Sequence, residues 1–311
     1  MPPTVIFGDI RGLDLKDLEP VLHKHGISHL DSAAVYQAGA SETSLGEARM
    51  GERFTIDTKI LSSRDSDGTL TPEKIEESSK KSLERLGMNK VNILYTHAPD
   101  FATPIEQQAK AFNDVHEKGR FSELGLCNTL PDMVQEWLDI AKAKGYIKPT
   151  WFQGQYNLAV RNYEEVLFPL LRAEGIHFAA YSPLGGGFLN GNLRPDKTTG
   201  TRFISHAAAA MSRTFYDRPA LHEYYDKILD LSEKANLSTG EVSLRWIVHH
   251  SALRDDDVLI LGASRISQLE QSLDSIRKGP LDGKLAQELN SLWTPELQEA
   301  TLDIVDWHPK K

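Results

Sequence analysis

Short β-branched or apolar runs alternate with helical patterns eight times along this chain, and that count constrains the fold more than any other feature. Val5-Ile6-Phe7 stops at Gly8, and a helical stretch from about Leu15 to His25 stops at Gly26. His29 to Ala33 reads as a second strand, and Phe54 to Lys59, alternating strictly, as a third. A helix follows, with Thr71 as N-cap, Pro72 at its first position, Ile75, Leu83 and Leu86 on one face, and Gly87 as its stop. Val91 to Tyr95 is the fourth strand and leads to a helix from Pro104 to Lys118. Glu123 to Cys127 is the fifth, with a helix from Pro131 to Gly145. Phe152 to Gln155 is the sixth, with a helix around Glu164 to Ala173, and Ile176 to Tyr181 is the seventh. Val258 to Gly262 is the eighth, followed by a helix from about Ser267 to Arg277. Eight strands separated by helices is the count of an α/β fold of the (β/α)8 TIM-barrel type. Such barrels take about 250 residues, which leaves room for insertions in a chain of 311. An open doubly wound sheet would need a Gly-x-Gly-x-x-Gly turn after its first strand, and Gly8-Asp9-Ile10-Arg11-Gly12 lacks that spacing.

One segment breaks the alternation, a long insertion after strand 7 from Gly185 to Gly240 that opens glycine-rich and later resumes helix. In a barrel such an insertion belongs to the face where ligands bind. Composition does not shift along the chain, so residues 1–311 are expected to form a single barrel domain. With 35 Lys and Arg against 44 Asp and Glu, the net charge of −9 argues against a nucleic-acid partner. Cys127 is the only cysteine, which excludes an intrachain disulfide and a cysteine-based metal cluster. The first residues carry no basic stretch ahead of an apolar core, and no apolar run approaches the roughly 18 residues of a membrane span. A cytoplasmic protein, monomeric or homodimeric, with no membrane partner is the expectation. The run Asp255-Asp256-Asp257 reads as a solvated loop, and the pairs His23/His25 and His249/His250 lack the spacing of metal ligands.

Residues at the carboxyl ends of barrel strands point into the active site. The ionisable ones here are Asp31 after strand 2, Tyr36 in the following loop, Lys59 at the end of strand 3 and His97 after strand 4. A free tyrosine, with a pKa near 10, is a poor proton donor at neutral pH. A cation about 4 Å away is worth about 4 kcal/mol at an effective dielectric near 20. That corresponds to roughly three pK units as an upper bound. Lys59 would provide the cation, Asp31 would keep it charged, and His97 would position a carbonyl oxygen. The structural alternative is an ordinary Asp–Lys pair with a loop histidine beside it. A metal-dependent barrel hydrolase also draws His and Asp from strand ends, but the scattered histidines do not fit one.

The same stretches resemble the aldo-keto reductases over nearly the whole chain. The resemblance is carried by Gly26-Ile27-Ser28-His29-Leu30-Asp31-Ser32-Ala33-Ala34-Val35-Tyr36, Ser41-Glu42-Thr43-Ser44-Leu45-Gly46, Thr58-Lys59 and Leu94-Tyr95-Thr96-His97-Ala98-Pro99-Asp100. Closest in flavour is the aflatoxin-aldehyde reductase branch, through His97-Ala98-Pro99-Asp100, Glu165-Val166-Leu167-Phe168-Pro169 and Tyr181-Ser182-Pro183-Leu184-Gly185-Gly186-Gly187. The resemblance implies a catalytic tetrad of Asp31, Tyr36, Lys59 and His97, and NADPH-dependent reduction of a small carbonyl compound. It also implies nicotinamide contacts from Cys127, Asn128, Gln153 and Tyr181, with Cys127 standing where the family commonly has serine. The Ser182, Pro183, Leu184, Gly185 and Gly187 stretch would lie along the pyrophosphate. Gly262, Ser264, Arg265, Gln268, Gln271 and Ser272 would surround the adenosine 2′-phosphate, the last where asparagine is common. Substrate contacts would come from Val35, from Arg213 or Arg218 in the insertion, and from Trp307. No metal is implied. The family also contains channel-associated subunits that bind NADPH and act chiefly through a partner, which makes a regulatory role the alternative.

Overall fold

Each strand pairs in parallel with the next, and the eighth closes on the first. The computed structural model describes residues 2–302 apart from 9, 11, 63–67, 195–200, 202 and 205–208. β1 (Thr4–Gly8), β2 (His29–Asp31), β3 (Thr55–Lys59), β4 (Val91–Tyr95), β5 (Phe121–Cys127), β6 (Pro149–Gln155), β7 (His177–Tyr181) and β8 (Val258–Leu261) form the closed barrel in sequence order. Parallel neighbours require a crossover between strands. Here the crossovers use α1 (Leu15–Lys24), α2 (Ala40–Glu47), α3 (Pro72–Leu86), α4 (Ile105–Glu117), α5 (Pro131–Lys144) and α6 (Leu167–Ala173). α3 starts as its sequence dictates: Thr71 Oγ1 accepts from the Lys74 N–H at 3.4 Å, Pro72 opens the first turn and Gly87 ends it.

Between β7 and β8 lie α7 (Ala209–Tyr216), α8 (Pro219–Lys234) and α9 (Thr239–His249). α9 buries Val242, Leu244, Trp246, Ile247 and Val248, which makes it the helix that completes the ring. α7 and α8 are therefore the inserted part. α10 (Ile266–Arg277) follows β8, and α11 (Gly283–Ser291) and α12 (Pro295–Ala300) close the described chain. Among the described residues no helix is long and apolar enough to cross a membrane.

The barrel interior is divided by chemistry. Ile6, Ala179, Val258 and Ile260, with Trp151 and Tyr181 against them, fill one side with apolar atoms. The other side holds charge, because His29 and Asp31 share the inner face of β2, and Asp57 and Lys59 that of β3. One expectation is corrected at the floor. Asp257 is not solvated but 1% exposed, and it accepts from Arg172 Nη1 and Nη2 at 2.8 and 2.5 Å. The N–H groups of Phe178 and Arg254 add bonds of 2.8 and 2.7 Å. Only Asp255 and Asp256 of that run face water.

Candidate active site

Lys59 ends β3 fully buried, and a buried ammonium is tolerated only when its donors are met. Its Nζ donates to Asp31 Oδ2 at 2.6 Å and to the Ser32 carbonyl at 2.8 Å. Asp31 Oδ1 accepts from Gln153 Nε2 at 2.9 Å, so both carboxylate oxygens have donors. Burial pushes Asp31 above the ordinary carboxylate range, and Lys59 and Gln153 pull against that shift. Burial also works against the charge on Lys59, but Asp31 and then Tyr36 outweigh it, and the lysine holds its proton more tightly than usual. The pair is an ion pair with the ammonium retained.

Tyr36 opens a 3-10 turn, Tyr36–Gly39, in which Gln37 and Ala38 take left-handed φ values of 51° and 54°. Such backbone persists on non-glycine residues only where the surroundings fix it. α2 provides the anchor. Ser41 Oγ meets Ser32 Oγ at 3.1 Å, and the wholly buried Glu42 accepts from Thr58 Oγ1 at 2.6 Å and Arg85 Nη1 at 2.9 Å. The Lys59 ammonium lies 5.3 Å from the centroid of the Tyr36 ring. The His97 ring stands edge-on to the same phenol, with centroids 5.6 Å apart. Ser62 Oγ accepts from the His97 and Ala98 N–H groups at 3.1 and 3.0 Å and fixes that loop. Asp31, Tyr36, Lys59 and His97 thus gather at the ends of three consecutive strands.

The next group adjoins them. Asn128, with φ at 55°, donates through Nδ2 to the His97 carbonyl and to the Cys127 sulfur, both at 3.1 Å. Its Oδ1 accepts from the Tyr181 hydroxyl at 2.8 Å. The Cys127 thiol therefore acts as an acceptor in a site 1% exposed. Ser182 also has a left-handed φ, and its carbonyl accepts from Asn157 Nδ2 at 3.0 Å. Beyond the buried Pro183 and half-buried Leu184, Gly185, Gly186 and Gly187 take φ values of 59°, 65° and 102°. A Cβ on Gly187 would sit 2.3 Å from Asn192 Nδ2, so the loop could not follow this path with larger residues. The Tyr216 hydroxyl ties α7 to β6 by accepting from Gln155 and from Asn157 at 3.2 Å.

Past β8, Gly262, Ser264 and Arg265 are exposed, and Arg265 is the N-cap residue of α10 without capping it through its side chain. Its guanidinium engages no acceptor among the described residues. Ser264 Oγ donates to Gln268 Oε1 at 2.9 Å, and Ser272 Oγ to the Gln268 carbonyl at 2.9 Å. Gln271 faces solvent.

Of the expected substrate contacts, Val35 is 43% exposed beside Tyr36. Arg213 instead forms an ion pair with Asp217 at 2.9 Å and is half exposed. Arg218 is half-buried, and its Nη1 has no hydrogen-bond partner among the described residues. Trp307 lies outside the described residues. Sequence reasoning missed Leu61 and Phe101, large exposed apolar residues just past Lys59 and His97. It also missed Tyr95, whose ring lies 5.8 Å from Lys59 Nζ and which the two-residue period places inward with Ile93. Among the described residues no three His, Cys, Asp or Glu gather as a metal site.

Comparison with known proteins agrees with this geometry. The model of the Aldo/keto reductase family matches residues 14–294. Oxidoreductase sirO of Leptosphaeria maculans is 35% identical over 93% of this chain and 88% of its own length. The human aldo-keto reductase family 7 member A3 is 36% identical, over 87% of this chain and 86% of its own. The human aflatoxin B1 aldehyde reductase member 2 is 35% identical, over 87% of this chain and 79% of its own. These relatives include the branch to which the sequence motifs point.

Proposed function

Because the chain belongs to the aldo/keto reductase family, we propose that it reduces an aldehyde or ketone to the alcohol with NADPH, Tyr36 giving the proton. One observation carries this reading: the buried Lys59 ammonium, 2.6 Å from Asp31 and 5.3 Å from the Tyr36 ring centroid. A phenol releases its proton more readily beside a fixed positive charge, and burial lets that charge act with little screening. Asp31 holds the ammonium in place and charged. His97, edge-on to Tyr36, orients the carbonyl oxygen to receive the proton. Proton donation of this kind is worth about 10²–10⁴-fold. Val35 and, in the insertion, Arg218 would border the substrate, and the names of the aldehyde-reductase relatives support a carbonyl compound as its class.

The residues present suit a dinucleotide carrying a 2′-phosphate. An exposed guanidinium that engages no acceptor among the described residues, a neighbouring hydroxyl and the start of a twelve-residue helix together favour a dianion at Arg265 and Ser264. Gln268, Gln271 and Ser272 would line the adenosine there, and the backbone from Ser182 through Gly187, with Gly262, would take the phosphates. Asn128, Gln153 and Cys127 would hold the carboxamide and Tyr181 the ring face. Bound in this way, the cofactor supplies the hydride. Asn128 would exchange its bond from the Tyr181 hydroxyl for the ligand.

The test is loss of NADPH absorbance with para-nitrobenzaldehyde and a panel of dicarbonyls, in wild type and Tyr36→Phe. Turnover in the wild type that collapses in the variant while NADPH still binds supports the reading. Tight NADPH binding without turnover of any carbonyl would replace it with the regulatory role.

A further inference from the structure

Beneath the Asp31–Lys59 pair lies a second one that the reaction as described does not use. β2 and β3 run in the register that sets Asp31 directly opposite Asp57. Both carboxylates are buried, at 4% and 1% exposure, and two such groups face to face repel. Each is met by a cation on the diagonal. Lys59, two residues beyond Asp57, reaches Asp31, and His29, two residues before Asp31, reaches Asp57 with Nε2 2.6 Å from Oδ2. The His29 approach lies off the direction of its ring N–H, so charge rather than a directed hydrogen bond holds it. Asp57 Oδ1 accepts from Asn92 Nδ2 and from the Ile93 N–H, each at 3.0 Å, which suits an ionised carboxylate.

Among the described residues, the charged groups that act most on His29 are acidic. Asp57 comes from β3, Asp31 from its own strand and Glu123 from β5. Tyr95 of β4 faces Asp57 and Asp31 in turn. Burial disfavours the imidazolium, yet Asp57, Asp31 and Glu123 together hold the proton on His29 above its ordinary range. Glu123 is itself fixed by Thr150 Oγ1 at 2.8 Å and Trp151 Nε1 at 3.0 Å, and the Trp151 ring lies tilted against His177, which faces Asp256 at 3.4 Å. His29 starts β2, so this pair sits at the floor of the barrel, away from the strand ends that carry Lys59. Its side chain keeps 21% of its surface accessible, and its proton can exchange there without passing the substrate.

We propose that His29 and Asp57 form a counter-charge pair that balances the Asp31–Lys59 pair and thereby sets the pH range over which Tyr36 donates its proton. Both are positioning residues, acting through Asp31 and Lys59 rather than touching substrate. Removing the imidazolium leaves Asp57 as an uncompensated negative charge behind Asp31. That charge holds protons more tightly on the groups above it. The alkaline limb of kcat/KM for reduction then moves to higher pH. Removing Asp57 instead lets His29 shed its proton, the pair becomes neutral on both sides, and the limb stays near its wild-type position.

The kinetic part of this inference rests on the reductase reading, so the experiment has two arms. In the first, pH profiles of kcat/KM are measured for wild type, His29→Gln, Asp57→Asn and the double variant. His29→Gln should shift the alkaline limb upward by about one pH unit, the effect of one unpaired charge across a layer of the barrel. The double variant should return it. A shift that persists in the double variant, or no shift in His29→Gln, overturns the proposal. In the second arm, NMR follows the titration of the His29 ring in wild type and in Asp31→Asn, with no need for turnover. His29 should titrate above the ordinary imidazole range and at lower pH in Asp31→Asn. An ordinary titration that ignores Asp31 overturns the proposal by itself. Absence of carbonyl turnover in the wild type would sink the reductase reading and leave the NMR arm to decide the charge pair.

Discussion

Gln153 donates to Asp31 at 2.9 Å from the opposite wall of the barrel, although 122 positions separate the two in sequence. The carboxylate that fixes the Lys59 ammonium is thus itself fixed, by a neutral amide on β6. A buried carboxylate oxygen left without a donor costs more than the bond is worth when formed, so the brace matters chiefly through its loss. It also gives Gln153 a structural task besides the nicotinamide contact the family resemblance implies.

Gln153→Leu should therefore lower stability by about 1–3 kcal/mol through the unmet Asp31 oxygen. It should also cut kcat by about tenfold or more, because Lys59 loses its fixed partner geometry. Thermal melting and steady-state kinetics check both. A variant with wild-type Tm and reduced NADPH affinity alone would show that Gln153 serves the cofactor and not Asp31.

Gly125 lies opposite Tyr95 in the β4–β5 register, and a Cβ there would fall 2.1 Å from the Tyr95 ring at Cδ1. The obstacle is the body of a ring 1% exposed, not the tip of a flexible chain, so it has nowhere to move. Gly125→Ala should cost about 1–3 kcal/mol as overpacking and displace the Tyr95 ring from Lys59, lowering kcat. Tyr95→Phe in the same chain should not restore stability, since the clashing carbons remain, whereas Tyr95→Leu should do so in part. Chemical denaturation of the three variants tests this order.

Much of the barrel was legible because its strands are short, apolar and punctuated by glycine. All eight were found, with errors at their ends. β2 stops at Asp31, not at Ala33, because Ser32 and Ala33 already lead into the loop that Ser41 fastens. β5 and β6 begin earlier than their apolar runs, at Phe121 and Pro149, where pairing with a neighbour outweighs local pattern. α2 escaped notice because Ser, Thr and Gly dominate it and its stability comes from the buried Glu42, a tertiary effect. α11 and α12 also went unread. That Asp31, Tyr36, Lys59 and His97 come together was legible from strand ends and the family motifs. The bond from Gln153 to Asp31 and the pairing of Asp57 with His29 were not, because register across a barrel is not written in any local window.

Asp100 joins the loops after β3 and β4. It accepts from the N–H groups of Gly68, Leu70 and Ala102 at 2.9, 2.8 and 3.0 Å, and from Thr103 Oγ1 at 2.7 Å. Burial raises its proton affinity, but the Leu70, Thr103, Ala102 and Gly68 donors outweigh it, and the net displacement is downward. A carboxyl lowered in the folded state stabilises fully above the unfolded value, near 4, and that share is lost as pH falls through the folded value. Asp100→Asn should be less stable than wild type at neutral pH by about 1–3 kcal/mol. The gap should narrow as the pH falls below the ordinary carboxylate range, where the wild type gives up its share. Denaturation at neutral and at acid pH decides it, and a constant gap would assign the loss to shape rather than charge.

Arg265 offers the sharpest test of cofactor choice, because its guanidinium is exposed at the start of α10 and engages no acceptor among the described residues. A charge-assisted bond from such a group to a phosphate dianion is worth about 1.5–3 kcal/mol, or about tenfold to a hundredfold in affinity. Arg265→Ala should raise the Kd for NADPH by that factor and leave the Kd for NADH unchanged, since NADH lacks the 2′-phosphate. Arg265→Lys should fall between, keeping the charge and losing the planar fork. The difference between the two cofactors should shrink as salt is added, because the contact is exposed. Fluorescence titration with both dinucleotides measures all of this. An equal loss for NADH and NADPH, or none for either, would move the 2′-phosphate away from Arg265 and take with it the preference for NADPH.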